Sequence, residues 1–287
     1  MTVTHHRTAT IDGREVFYRE AGPADAPVLL LLHGFPTSSA MFRHLIPRLA
    51  DRYRVIAPDY VGFGHSAAPR VEEFEYTFDH LSDVVEGLLR QLGVQRFAMY
   101  VQDYGAPVGW RLFLRDPECV TAIVTQNGNG YEEGFVDAFW APLWRWASDG
   151  NPDDEAVVRS TLTTELVRWQ YVHGLDDPSV VDPDTWTRDV AQISRPGMDE
   201  VQLALYGNYP SNRQLYPRLH AAFGAHPVPL LAIWGERDEI FGPDGARAFQ
   251  THLPEARVEL LPGGHFLLES HLDQVAASMR AFLAEVL

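Results

Sequence analysis

The sequence predicts an α/β fold: a mostly parallel sheet with helices on both faces. Short continuous apolar runs recur at 28–32, 54–58, 97–101, 120–124, 229–233 and 258–261, the pattern of strands buried on both faces. Amphipathic helical patterns lie between them. The clearest is 78–92, where Leu81, Val84, Val85, Leu88, Leu89 and Leu92 share one face and Gly93 ends the helix. Strand and helix alternate from residue 28 onward, as successive βαβ units require.

Ahead of the first buried strand, Asp12-Gly13 is a hairpin turn followed by alternation through Val16 and Tyr18, so the chain should open with antiparallel strands. The alternation fails between Asn127 and about Leu219. That segment holds Trp140, Trp144, Trp146, Trp169 and Trp186, five of the 7 tryptophans, and reads as an inserted helical cap with its own aromatic core. The expected division is a core at 1–127, a cap at 128–219 and the rest of the core at 220–287, with Trp140 among the residues lining a pocket beneath the cap.

Length and composition bound the function. A chain of 287 residues, 46% apolar and 22% charged, has the profile of a folded enzyme with one large domain and an insertion. The net charge of −16 is spread along the chain, which repels phosphate backbones and makes nucleic acid an unsuitable partner. There is no lysine, so Schiff-base chemistry and a phosphate-loop lysine are excluded. The run at 28–32 is far too short to cross a bilayer and no signal-peptide layout precedes it. Together with the single cysteine, Cys119, this leads to the expectation of a cytoplasmic protein away from membranes. The His5-His6 pair has no partner at metal-ligand spacing, and neither metal nor cofactor is expected. A homodimer is compatible with everything here.

Four stretches carry the chemistry: "LLLLHGFPTSS", ending an apolar strand at His33-Gly34-Phe35-Pro36; "APDYVGFGHS"; "MYVQDYGAP" around Asp103; and the pair "LLAIWGERDEIF" and "VELLPGGHFLLE", in which strands lead to Asp238 and His265. Asp103 alone reads equally well as a helix N-cap, and Asp238 as a turn former. Together the stretches resemble the α/β-hydrolase fold over nearly the whole chain, which implies an eight-stranded, mostly parallel sheet with flanking helices and an inserted helical cap. In that fold the nucleophile, the acid and the histidine follow one another as Asp103, Asp238 and His265 do. Val101 stands where the family usually has a small residue. Glu132 and Glu133 are a rival place for the acid.

An aspartate nucleophile suits attack on saturated carbon, because a carboxylate of ordinary pKa about 4 is already an anion at neutral pH. The resemblance narrows to epoxide hydrolases, haloalkane dehalogenases and fluoroacetate dehalogenases. It implies an alkyl ester on Asp103, hydrolysed by water that His265 activates while Asp238 orients the ring, with the backbone N–H groups of Phe35 and Tyr104 as oxyanion hole. Haloalkane dehalogenases usually place tryptophan and asparagine where this chain has Tyr104 and Phe35, so the halide pair is incomplete. Fluoroacetate dehalogenases usually follow the aspartate with arginine. The reading therefore favours an epoxide hydrolase acting on a small apolar organic substrate with water as co-substrate. A dehalogenase and a catalytically weak small-molecule binder are the alternatives. Two cap tyrosines should donate to the epoxide oxygen: Tyr171 is expected as the first and Tyr209 as the second, with Tyr206 one turn from Tyr209 as a rival, and His173 facing the pocket.

Overall fold

The computed structural model describes residues 3–287. Eight strands form one sheet: β1 (His5–Ile11), β2 (Arg14–Ala21), β3 (Val28–Leu32), β4 (Arg54–Pro58), β5 (Phe97–Gln102), β6 (Val120–Gln126), β7 (Leu230–Gly235) and β8 (Arg257–Leu261), in spatial order β1-β2-β4-β3-β5-β6-β7-β8. The pairs β1·β2 and β2·β4 are antiparallel, and every pair from β4 to β8 is parallel. The helices of the core are α1 (Ile46–Leu49), α2 (Phe78–Gln91) and α3 (Gly105–Arg115), and, after the insertion, α10 (Pro243–Ala248), α11 (Leu267–Ser270) and α12 (Leu272–Val286). Between β6 and β7 lie α4 (Asp137–Asp149), α5 (Pro152–Ser160), α6 (Thr164–Val172), α7 (Asp184–Ile193), α8 (Met198–Asn208) and α9 (Pro210–Ala225), the last running past residue 219.

The apolar runs of β3 to β7 are strands because each buries both faces; the run at 258–261 differs from the expectation, since β8 is the edge strand and stays half-buried. Leu30, Leu32, Met99 and Val101 point into a core shared with Leu81 and Val85 of α2 and Trp110 of α3. Their neighbours Leu29, Leu31, Ala98 and Tyr100 point the other way, into a core shared with Ile46 of α1 and Val275 and Met279 of α12. One run thus feeds two layers, by the alternation of a pleated strand.

This topology fixes where a site can form. The chain enters the middle of the sheet at β3, lays β4 on one side and β5 on the other. Loops leaving the carboxyl ends of β3 and β5 therefore diverge and leave a crevice between them. A buried arginine ties the insertion to that place. Arg111, on α3, donates from Nη2 to Ser211 Oγ (3.1 Å) and from Nη1 to Asn212 Oδ1 (2.8 Å), both on α9, and forms an ion pair with Asp79 at 3.1 Å. Beside it the N–H of Phe78 donates to Asn208 Oδ1 at 3.0 Å. The junction of α8 and α9 is thereby held over the start of α3. Among the described residues no helix is long and apolar enough to cross a membrane.

Candidate active site

Asp103 occupies the turn between β5 and α3 with φ +49°, a left-handed conformation that costs a non-glycine residue roughly 1–2 kcal/mol. The turn is sharp because its neighbours lack side chains. A Cβ on Gly105 would strike the carbonyl oxygen of Leu32, and one on Gly34 would lie 2.6 Å from Asp103 Oδ1. The carboxylate is 5% exposed as a residue and its two oxygens differ. Oδ1 accepts from the N–H of Phe35 at 2.6 Å, and the N–H of Tyr104 also donates to the carboxylate. Oδ2 faces His265 Nε2 across 3.9 Å. Burial pushes the Asp103 carboxyl up, while His265 and the two N–H groups draw it back.

His265 and Asp238 meet as the sequence order implies. His265 Nδ1 lies 2.8 Å from Asp238 Oδ2; Asp238 is an acceptor, so the neutral ring carries its proton on Nδ1. Asp238 is itself saturated: Asn127 Nδ2 donates to Oδ2 at 2.6 Å and the N–H of Ile240 to Oδ1 at 2.8 Å. Burial opposes charge on His265, but the charge and hydrogen bond of Asp238 and the charge of Asp103 outweigh it, so its pKa is raised. Glu132, the rival acid, is half-exposed and paired with Arg213 at 2.6 Å, away from His265.

Three amides at strand ends, which the sequence reading passed over, brace this centre. Asn127, also at positive φ, accepts on Oδ1 from Gly235 N–H (3.0 Å) and Gln126 Nε2 (2.6 Å). Gln126 Nε2 also donates to His265 O, and its Oε1 accepts from Tyr100. Gln102 Nε2 lies 2.8 Å from His265 Nε2. A polar amide at the end of a buried strand was the available signal. His33 is structural: burial lowers its pKa to about 4, and its neutral ring accepts from Tyr60 N–H at 3.3 Å.

The expected substrate residues separate into two groups. Tyr206 and Tyr209 face the crevice: Tyr206 packs on Phe35 (5.5 Å between ring centres) and Tyr104 (6.1 Å), and Tyr209 on Tyr104 (5.9 Å) and Trp140 (4.5 Å). Trp140 is a wall, not a donor to ligand, because its Nε1 donates to Ile240 O at 2.8 Å. Phe241 connects Trp140 with His265.

Tyr171 and His173 lie elsewhere. The Tyr171 hydroxyl donates to buried Asp189 and its ring stacks flat on Phe266, on the other side of the sheet core. The expectation that it donates to a substrate oxygen is corrected: its one proton is already committed. His173 is partly exposed, stacked on Trp169 and paired with Glu239 at 3.2 Å, so it too is outside the pocket, at the mouth of a narrow crevice that leads past Gln170 and Ile240 to His265.

The hydroxyls left over are informative. Those of Tyr60 and Tyr104 are buried without a close hydrogen-bond partner, and the Tyr206 hydroxyl lies 3.1 Å from Thr161 Oγ1, whose own proton goes to Val158 O at 2.7 Å. Burial pushes the phenols of Tyr60, Tyr104, Tyr206 and Tyr209 up, and the Asp103 charge adds to it in all four. They are proton-bearing groups around an anionic oxygen. Tyr60 was not singled out from sequence, since "APDYVG" resembles any strand end.

The family model for the alpha/beta hydrolase fold matches residues 27–272. An uncharacterized hydrolase of Saccharomyces cerevisiae is 42% identical over 285 residues, covering 98% of this chain and 97% of that one. A haloalkane dehalogenase of Mycolicibacterium paratuberculosis is 31% identical over 267 residues (90% and 84%), and epoxide hydrolase 3 of Mus musculus 26% identical over 293 residues (96% and 75%). With its doubly covered sheet and an aspartate at the turn after β5, the chain belongs to the α/β-hydrolase fold family, in the aspartate-nucleophile branch of hydrolases alongside haloalkane dehalogenases and epoxide hydrolases.

Proposed function

We propose that the protein is a cofactor-independent epoxide hydrolase. The observation that carries the reading is the set of buried phenols near Asp103: burial and the Asp103 charge push Tyr60, Tyr104, Tyr206 and Tyr209 up, so all four keep their protons, where a halide site would need side-chain N–H donors and Phe35 offers none. Oδ2, which faces His265, is the attacking oxygen, since Oδ1 is held by the N–H of Phe35. It bonds to an epoxide carbon, the ring C–O bond breaks, and the alkoxide takes the proton of Tyr206, with Tyr104 donating to the same oxygen.

The ester is then hydrolysed. His265 takes a proton from water, which attacks Cγ, and the negative charge develops on Oδ1 between the N–H groups of Phe35 and Tyr104. Collapse breaks the Cγ–Oδ2 bond; the departing oxygen takes the proton from His265. The new carboxylic acid returns its proton to the Tyr206 phenolate, so epoxide and water give a diol. Losing one backbone donor would cost on the order of a hundredfold in rate.

The relatives named haloalkane dehalogenase keep carbon–halogen cleavage as the second reading. One experiment separates the two: His265→Gln, exposed to epoxides and haloalkanes, is digested and the Asp103 peptide weighed. The expected adduct has the mass of the whole epoxide. An adduct only from haloalkanes, with halogen lost, would make the protein a dehalogenase, and turnover by wild type with no adduct on Asp103 would overturn the nucleophile.

A further inference from the structure

Gln102 and Gln126 end neighbouring strands and face each other across the β5·β6 ladder, yet their amides differ. Every arm of Gln126 is occupied, by Tyr100, Asn127 and the carbonyl of His265. Gln102 has only one partner. Its Nε2 donates to His265 Nε2 at 2.8 Å, and its Oε1 is buried with no partner at all.

A neutral imidazole has one lone pair. With the proton on Nδ1 directed at Asp238, that lone pair is on Nε2, the atom that must take a proton from water, and Gln102 holds it. Once Nε2 is protonated, two N–H groups would face each other at this distance, which the low-dielectric interior does not tolerate. An amide has the remedy built in, because its donor and acceptor ends have nearly the same shape. A half-turn presents Oε1 to Nε2–H. Gly34 makes the room: a Cβ there would come within 2.5 Å of Gln102 Oε1.

We propose that Gln102 is a positioning residue for hydrolysis of the Asp103 ester, its amide donating to His265 Nε2 in the resting site, releasing that lone pair as the attacking water takes its place, and turning to accept from the ring once the ring has taken the proton from water. This rests on the reading of His265 as the base of an Asp103 ester. It explains why a buried amide keeps an empty acceptor beside a base. The charged groups facing His265 are Asp238 and Asp103, with Arg237, Glu239 and His173 along the crevice that reaches it; none of them is altered by changing Gln102.

Two variants test it, Gln102→Leu and Gln102→Glu, with styrene oxide as probe in single-turnover reactions followed by mass analysis of the Asp103 peptide. In Gln102→Leu, alkylation should stay within about twofold, while hydrolysis slows about 10- to 100-fold and ester accumulates. Gln102→Glu should hydrolyse faster than Gln102→Leu, with its pH profile moved upward, because a carboxylate accepts from the imidazolium and stabilises it. A readout without substrate stands beside this: in 15N spectra of the imidazole, His265 should titrate lower in Gln102→Leu and higher in Gln102→Glu than in wild type. Unchanged titration in both variants, or equal slowing of both steps in Gln102→Leu, overturns the proposal. If no compound labels Asp103 in any variant, the functional reading fails, and the titration alone then decides whether Gln102 follows the charge of His265.

Discussion

The floor and the roof of the pocket are held by different kinds of force. On the floor, Asp238 accepts from Asn127, Ile240 and His265, and Asp103 from Phe35 and Tyr104, all of them directional bonds from strand ends and tight turns. On the roof, Tyr206 and Tyr209 are placed by aromatic packing and by the polar tie from Arg111 to α9. Hydrogen bonds fix angles to the precision that proton transfer needs, whereas ring packing fixes volume more than direction. On the proposed mechanism, the floor carries the ester chemistry and the roof the choice of leaving group.

Substitutions can break this contrast. The largest effect is expected on the floor: Asp103→Asn should lower turnover about 10⁵-fold or more, with the fold intact by circular dichroism, since no other group can form the ester. Residual activity near wild type would move the nucleophile elsewhere. A middle effect belongs to the roof. Tyr206→Phe and Tyr104→Phe should each slow alkylation about 10- to 100-fold and the pair more than either, while decay of preformed ester is unchanged, because the phenols act on the departing alkoxide alone. Equal loss in both steps would count against that division. The smallest effect on turnover, within about threefold, is expected for Tyr171→Phe. Its cost is stability, about 1–2 kcal/mol by urea unfolding, because Asp189 loses a buried donor. A large loss of turnover there would return Tyr171 to the pocket.

The same contrast explains what the sequence could disclose. The candidate site residues Asp103, Asp238 and His265 could be picked out because each follows a strand of the sheet, and strand ends are marked by a switch from apolar to polar residues. Gln102 and Asn127 carry the same mark, but an amide has no acid–base chemistry to draw attention to it. Tyr171 and Tyr206 are indistinguishable in one dimension: both are tyrosines on amphipathic cap helices. Which one faces Asp103 depends on how α6 and α8 rotate against the core, and that rotation is set by contacts such as Asn212 with Arg111 and Tyr171 with Phe266, far apart in sequence. Arg111 itself was hidden, since an arginine in the helix "GAPVGWRLFLR" reads as a solvated position, and only the arrival of α9 buries it.

The tie between α3 and α9 also bears on how such a protein could change over generations. Because the helix that starts at Asp103 also anchors the segment bearing Tyr206 and Tyr209, drift in α6 and α7 could reshape the cap while leaving the phenols in place against Asp103. Selection could therefore retune which molecules enter while the reaction is inherited intact. The same drift at Ser211 or Asn212 would alter the chemistry before it altered the diet.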